Sequence, residues 1–493
     1  MAKRRSPPPG LQRRGGIRMY KQISMALTLI LLAGGCTVGP DYQRPKVDIP
    51  AQWRLNDQEA KNLADSTWWQ QFNDPVLNEL IATALRENKD LLIAAARIEQ
   101  FAGQYGIVRA GLFPQVGASG AYDRQRITES GDNRVTPGYQ TTTDSFSANV
   151  NASWEIDLWG RVRRSTEAAK AELLASEEGR RAVLLSLVGN VASAYINLLD
   201  LDRQLEISRQ TTNSRQASYL VFKDRYAGGV ISEFELSQNK SQYEEALATI
   251  PALEKAISQQ ENGLSVLLGR NPGPITRGKR IDQLALPAIL AGLPSDLLER
   301  RPDIRQAEQT LVAANAQIGV AKAAYFPSIS LTGAYGSASG DLGDLFKGPS
   351  RAWQYSAPIS VPIFTAGKIA GSVQAAEAVQ QQALLGYQQA IQNGFREVND
   401  ALSDQEQTRK QLAAQKSQVD SLRQYADIAR LRYDNGYSDY LVVLDAERSL
   451  FNAQQAYAQT QGALHLALIN LYKAMGGGWV GKAELLALPK TQP

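Results

Sequence analysis

The chain repeats itself, and an internal repeat restricts the fold more than any single motif can. Asp90, Ala94, Gln104, Gly106, Ala110, Phe113, Pro114, Gly120, Ala121 and Tyr122 recur as Asp303, Ala307, Gln317, Gly319, Ala323, Phe326, Pro327, Gly333, Ala334 and Tyr335, every pair 213 positions apart with no gap. Each copy begins as a helix pattern rich in Ala and Gln, stops at a Phe-Pro, and resumes as alternation. The alternating residues are Val116, Ala118, Gly120 and Tyr122 in the first copy and Ile329, Leu331, Gly333 and Tyr335 in the second. A helix therefore feeds a strand, twice. No long Pro/Ser/Gly linker divides the 493 residues, so the chain reads as one two-repeat architecture.

A second strand follows in each copy. From Ser145 to Leu158 the even positions are Phe, Ala, Val, Ala, Trp, Ile and Leu, and the odd ones are Ser, Asn, Glu or Asp. At about 3.3 Å per residue the run is roughly 45 Å long, more than a tilted strand needs to cross a bilayer. Its counterpart places Trp353, Tyr355, Ala357, Ile359, Val361 and Ile363 on one face, with Pro358 and Pro362 tolerable near a rim. One face suits lipid and the other water. Asp123–Thr143 and Gly336–Arg351 read as the loops between paired strands, expected outside the cell. Four such strands cannot close a barrel, because barrels begin near 8 strands. Copies must share one, and closure alone admits two, three or four of them.

Each second strand leads into a long helix pattern, Arg161–Tyr226 and Gly367–Tyr433, uninterrupted by proline. At about 1.5 Å per residue each reaches about 100 Å, far more than a soluble core uses, which suggests helices set side by side in a wall. Both end in matching turns, Arg225-Tyr226-Ala227-Gly228-Gly229-Val230-Ile231-Ser232 and Arg432-Tyr433-Asp434-Asn435-Gly436-Tyr437-Ser438. Gly229 and Gly436 stand where a left-handed stop is expected, and Ser232 and Ser438 are expected N-caps of the return helices. Each half is thus a helical hairpin, with Pro251 allowing a kink in the first return helix.

The front end is a targeting signal. Lys21, an apolar run Ile23–Leu32 and Ala33-Gly34-Gly35-Cys36 are too short for a bilayer span and match a cleaved signal. Small residues before the single cysteine resemble a bacterial lipobox, so Cys36 is the expected site of diacylglycerol and N-acyl attachment. Thr37 in place of Asp directs such a lipoprotein to the outer membrane. Residues 1–18 form a Pro/Arg tail that a signal does not need, so Met19 reads as the natural start. The segment before Cys36 carries seven Lys/Arg and no acid, so the formal net charge of +4 becomes −3 after cleavage (4 minus 7). The basic balance then gives no support for nucleic-acid binding. One Cys and one His exclude a disulfide framework and a Cys/His zinc site, and no G-x-S-x-G or P-loop occurs. His465 lies inside an apolar helix pattern and reads as packed, not catalytic.

Cys36 followed by Val38-Gly39-Pro40-Asp41-Tyr42 and Arg44-Pro45 resembles the start of the TolC/OprM-like outer-membrane lipoproteins (NodT type) of resistance-nodulation-division (RND) efflux pumps. Trp68-Trp69, Phe72, Asp74-Pro75, Phe113-Pro114, Trp154–Arg161, Phe326-Pro327 and Gly476-Gly477-Gly478-Trp479 extend the resemblance over the mature chain. The resemblance implies a mixed α and β membrane protein: a homotrimer with a 12-stranded outer-membrane β-barrel, four strands per protomer, continuous with a long periplasmic α-helical barrel. It implies a passive exit duct, no enzyme and no bound cofactor, partnered by a periplasmic adaptor and an inner-membrane RND pump. A TolC-like duct for type I secretion shares the fold but generally lacks the lipid anchor; a non-transporting coiled-coil lipoprotein would have no barrel.

Leu441, Asp445 and Arg448 share one face of the second return helix, where an Asp-Arg pair three apart is ordinarily a solvated contact. The resemblance implies more: that Leu441 and Asp445 form rings at a narrow periplasmic mouth, with Arg448 balancing charge. Val442 stands where TolC has a second acid, so this mouth is expected to be less acidic. The resemblance also makes the tips, Tyr226, Gly229, Val230, Ser232, Tyr433, Gly436 and Ser438, the expected adaptor contacts. The expected organisation is signal peptide 1–35, lipidated tether 36–75, first repeat 76–270, connector 271–302, second repeat 303–479 and tail 480–493.

Overall fold

The computed structural model of the chain describes residues 37–47, 49–50, 67–128, 141–286, 296–476 and 480–487. Cys36, the signal segment and the Gly477–Trp479 motif lie outside the described residues. The α-helices longer than one turn are α1 (Pro75–Glu87), α2 (Lys89–Ala110), α3 (Arg161–Ala227), α4 (Glu233–Leu267), α5 (Pro302–Ala323), α6 (Lys368–Asp434), α7 (Tyr440–Ala474) and α8 (Val480–Ala487). The strands are β1 (Gln115–Arg126), β2 (Thr142–Ile156), β3 (Ser328–Ser339), β4 (Arg351–Ser356) and β5 (Ile359–Ser360). Repeated sequence yields repeated lengths: 22 residues in α2 and α5, 12 in β1 and β3, 67 in α3 and α6, 35 in α4 and α7. Pro251 sits inside α4, which the structure treats as one helix.

The chain separates into two compact units. The first, described over residues 37–43, 103–128, 141–170 and 312–381, holds the sheet. Its strands pair antiparallel in the order β1-β2-β3-β4, with β5 also on β3. The registers Val116↔Ala152, Ala118↔Val150, Val150↔Tyr335 and Tyr335↔Trp353 put the apolar residues of all strands in common rows on one face. The strand limits differ from the sequence reading. β1 runs on to Arg126 because Asp123, Arg124 and Gln125 find ladder partners in Ser145, Asp144 and Thr143. β3 likewise continues to Ser339 opposite Phe146. The fourth strand is interrupted: β4 ends at Ser356 and β5 is two residues, since Pro358 and Pro362 have no N–H for the ladder.

In the same unit Thr37–Gln43 is extended and bound down. Val38 N donates to Trp159 O at 3.0 Å, Asn315 Nδ2 donates to Pro40 O at 2.9 Å, and Arg164 Nη2 donates to Asp41 Oδ1 at 2.6 Å. Gly39 (φ +103) crosses Gly319 so closely that a Cβ on it would lie 2.5 Å from the Gly319 Cα. That contact needs both glycines, one in the strap and one from the repeat.

The second unit, described over residues within 44–102, 171–311 and 382–487, is helical. Its core is a stripe of Leu184, Val188, Val191, Ile196 and Leu198 on α3 and Leu464, Leu468, Ile469 and Leu471 on α7, closed by Trp68 stacked on Tyr472 at 5.0 Å. One stretch of α3 is long and apolar enough to cross a membrane, yet 61% of it is buried inside the fold, so the core accounts for its composition.

Candidate functional site

Both hairpin tips belong to the helical unit and share one backbone solution. Where α3 ends, Val230 N donates to Arg225 O at 2.9 Å and Gly229 N to Tyr226 O at 2.9 Å. Where α6 ends, Tyr437 N donates to Arg432 O at 2.8 Å and Gly436 N to Tyr433 O at 2.9 Å. These are the paired bonds of a Schellman stop. Gly229 has φ +71 and Gly436 has φ +75, and a Cβ at either would meet nothing within 4 Å. Backbone conformation alone therefore selects glycine here.

The starts of the return helices differ. Ser232 caps α4 in a full box: Glu235 N donates to Ser232 Oγ at 3.3 Å, and Ser232 N donates to the Glu235 carboxylate at 2.8 Å. That backbone N–H holds the Glu235 carboxyl below its ordinary range. On the second tip the expected cap, Ser438, is one residue off. Asp439 is the N-cap of α7, standing 207 positions after Ser232 as Arg432 stands after Arg225. The residue in the place of Glu235 is then Val442, which cannot return a bond, and Asp439 makes no side-chain cap bond. The Ser438 Oγ is buried without a hydrogen-bond partner.

What holds the second tip is contact with the first. Phe222 of α3 is fully buried against Ala426, Ala429, Tyr440, Val443, Leu444 and Ala446, with Tyr433 and Ile231 at the margin. The rings of Phe222 and Tyr440 lie 4.2 Å apart, and those of Tyr433 and Tyr440 lie 4.9 Å apart. Arg225 stands over Phe222 at 5.9 Å and its Nη1 reaches the Tyr433 hydroxyl at 3.4 Å. Buried Asn239 of α4 donates to the Tyr440 hydroxyl at 2.6 Å, and burial pushes that hydroxyl up to about 12. Of the expected tip contacts, Tyr226, Gly229, Val230, Ser232 and Gly436 are exposed, while Tyr433 and Ser438 turn inward.

Leu441, Asp445 and Arg448 come together. With Gln238, Ser241 and Gln242 of α4 they line a recess of about 600 Å³. Arg448 Nη2 donates to Asp445 Oδ1 at 2.8 Å, both side chains are 52% exposed, and Leu441 is exposed. A half-solvated pair contributes about 0–1 kcal/mol, so its stability value is small and its charge remains available to solvent.

Two residues at the site had no signal in the sequence. Arg215 lies in the polar run Asn213-Ser214-Arg215-Gln216 yet is buried, donating from Nη1 to Gln242 O at 2.7 Å and lying 5.3 Å over the Phe451 ring. Burial lowers its affinity for the proton. Glu447, held above the usual carboxylate range by burial, feels Arg430 and Arg215. No group of three or more His, Cys, Asp or Glu placed to hold a metal occurs among the described residues.

The chain matches the family model described as outer membrane efflux protein over residues 80–270 and 293–477. It is 38% identical over 480 residues to the probable efflux pump outer membrane protein TtgC of Pseudomonas putida, covering 95% of this chain and 98% of that one. It is 37% identical over 463 residues to the cation efflux system protein CusC of Escherichia coli, covering 93% and 97%. Its fold is similar to the crystal structure of the Campylobacter jejuni CmeC outer membrane channel, with a TM-score of 0.86 at 26% identity, covering 92% and 98%.

Proposed function

The chain belongs to the outer membrane efflux protein family and resides in the outer membrane, and from that premise we propose that it is the passive exit duct of a tripartite RND pump, a homotrimer whose copies complete one 12-stranded barrel. The observation that carries this reading is the open sheet. Among the described residues β1 and β4 lie at its two edges, each hydrogen-bonded to one neighbour, and unpaired edges of this length invite pairing with another copy. Val116, Val150, Tyr335 and Trp353 are 70%, 52%, 57% and 68% exposed on one face, an apolar surface that suits lipid and not water.

In this reading the duct performs no chemistry. Cargo delivered by the pump and a periplasmic adaptor passes through, and the adaptor engages the exposed tip residues from Tyr226 to Ser232 and around Gly436. Leu441 and Asp445 form rings at the periplasmic mouth, Arg448 balances the acid, and adaptor contact shifts the population from closed to splayed hairpins. Near-equal identity to a protein named for cation efflux and to one named as a probable efflux pump supports a duct whose cargo is chosen by the pump. Cys36 carries the lipid anchor.

Electrophoresis of the detergent-extracted protein with and without heating tests the barrel. A slow band that becomes a monomer on boiling is expected, and identical monomer mobility in both lanes would overturn the shared barrel. Intact mass of the same sample, increased by three acyl chains on a chain beginning at Cys36, tests the anchor.

A further inference from the structure

The apolar face of the sheet is not uniform. One row across it reads Gly120, Ala148, Ser337 and Arg351, and the next reads Ala118, Val150, Tyr335 and Trp353. Small side chains on β1 and β2 leave a hollow of about 610 Å³, over which the segment after β3 brings Phe346 and Lys347. Phe346 is 82% exposed at its mouth. Tyr122 and Phe146, stacked at 4.7 Å, close the next row up.

Cations gather at one end of this face only. By strand parity Arg124, Arg126 and Arg351 lie on the apolar side toward the end where β1 and β2 are joined through 127–141: Arg351 opens β4 one row beyond Trp353, and Arg124 and Arg126 lie beyond the Tyr122–Phe146 row. Lys347 is bridged to Asp344, and Arg124 is 3.7 Å from Asp144. Arg126 and Arg351 make no ion pair among the described residues. A guanidinium at the upper edge of an apolar belt is placed to take a phosphate in a bidentate fork, with the alkyl part of the same molecule lying below it. Gly120 and Arg351 are three strand spacings apart, about 14 Å, which a headgroup bearing several acyl chains spans and a free ion does not.

We propose that this hollow binds a phosphate-bearing, multiply acylated lipid of the outer leaflet, its phosphate on Arg351 with Lys347 beside it and one acyl chain over Gly120 and Ala148. The proposal rests on the reading that this face meets lipid. Charge complementarity selects the lipid: Ala118, Gly120 and Ala148 make room for an acyl chain, and Lys347 and Arg351 distinguish the hollow from a neutral hydrocarbon surface.

The test is binding of diphosphorylated lipid A to the full-length trimer in detergent, read by native mass spectrometry. Dephosphorylated lipid A and inorganic phosphate serve as competitors. Arg351→Ala is expected to weaken binding about tenfold, Lys347→Ala less, and Gly120→Leu, which fills the hollow and leaves the cations, about as much as Arg351→Ala. Inorganic phosphate at millimolar concentration is expected not to compete. Equal affinity for the dephosphorylated lipid, unchanged binding in both Arg351→Ala and Gly120→Leu, or displacement by inorganic phosphate would each overturn the proposal. Heat-modifiable mobility of the same preparations separates the two readings: if it persists while lipid binding fails, the barrel stands and the lipid site falls.

Discussion

The two hairpin tips have the same stop and different starts. The first closes on itself: a Schellman turn at Gly229 is followed at once by the Ser232–Glu235 box, all from neighbours in sequence. The second has the turn at Gly436 and no side-chain cap at Asp439, and relies on Phe222, Asn239 and Ile231 from the other hairpin. Local bonds move with the element that makes them, whereas borrowed contacts fix it only while the lender stays in place. In the proposed duct the second tip is therefore the one expected to switch, and it carries Leu441, Asp445 and Arg448. In this account the first hairpin is the frame and the second is the moving part.

The sharpest way to break that asymmetry is to remove the borrowed contact. Phe222→Ala takes away the ring that both Tyr433 and Tyr440 touch, and truncating a buried Phe costs about 3–5 kcal/mol. The expected result is a large rise in ion conductance in planar bilayers with trimer mobility unchanged. Unchanged conductance would mean that the second tip is held by something other than this cluster. Tyr440→Phe is gentler, removing only the hydroxyl that accepts from Asn239 and leaving a buried amide unsatisfied at about 1–3 kcal/mol. It is expected to give a smaller rise in conductance, and Asn239→Leu with Tyr440→Phe should recover part of the loss. Asp445→Ala with Arg448→Ala is expected to change ion selectivity more than stability, since the pair is half exposed.

Much of the helical frame was legible because glycine at positive φ and proline-free periodicity act locally. Gly229 and Gly436 declare their turns, and the alternation around Val150 declares which side chains share a face. The register confirms that sharing row by row. What was not legible depends on the partner. Ser438 and Asp439 are both good caps, and the serine at 438 draws the eye although the 207-residue offset that pairs Gly229 with Gly436 pairs Ser232 with Asp439, which is the N-cap of the folded helix. Arg215 looks solvated by composition and is buried because Gln242, Glu245 and Phe451 arrive from other helices. Repeated sequence also misleads about burial: α2 buries Leu91 and Ala94, while α5 buries Ile304, Leu311, Ala313, Ala314, Ala316 and Ile318. Near its end α5 receives the strap at Asn315 and Gly319, a contact no repeat predicts.

The same pair of hairpins differs in its response to acid. Asp200 on α3 has a carboxyl raised from 3.8 to about 6 by burial, with one oxygen accepting from Gln204 at 2.9 Å and the other unpartnered. His465 on α7 is lowered from 6.5 to about 4 by burial. For Asp200 the folded state binds the proton more tightly than the unfolded chain, so stability is gained as pH falls from about 6 to 4. For His465 the unfolded chain binds it more tightly, so stability is lost as pH falls from 6.5 to about 4. Each contribution is on the order of 2–3 kcal/mol, and in the parent protein they oppose. From these two groups the urea midpoint across pH 4–7 is expected to change little in the parent, to fall with acid in Asp200→Asn, and to rise with acid in His465→Gln. Parallel curves for all three proteins would mean that neither group is buried in the way described.

The smallest effect bears on the comparison most directly, because it transplants the missing lock. Asp439→Ser with Val442→Gln gives the second tip the box that the first has without adding an acid to the mouth, and a cap with its reciprocal bond is worth about 1 kcal/mol. Val442 is 36% exposed, so the new amide oxygen can reach back to accept from the residue 439 N–H. If the second tip moves as a rigid hairpin about the Phe222 cluster, a stronger helix start stabilises open and closed forms alike, and the double variant should raise the thermal midpoint while leaving conductance at the parent level. If opening instead begins by unwinding the first turn of α7, the box opposes it, and conductance in the Phe222→Ala background should drop back toward the parent value. The combined variant separates a hinge from a fraying start. The geometry favours the hinge: the first turn of α7 already holds Val442 N to Asp439 O at 3.2 Å, and Tyr440, Val443 and Leu444 are buried from the first residue of the helix onward.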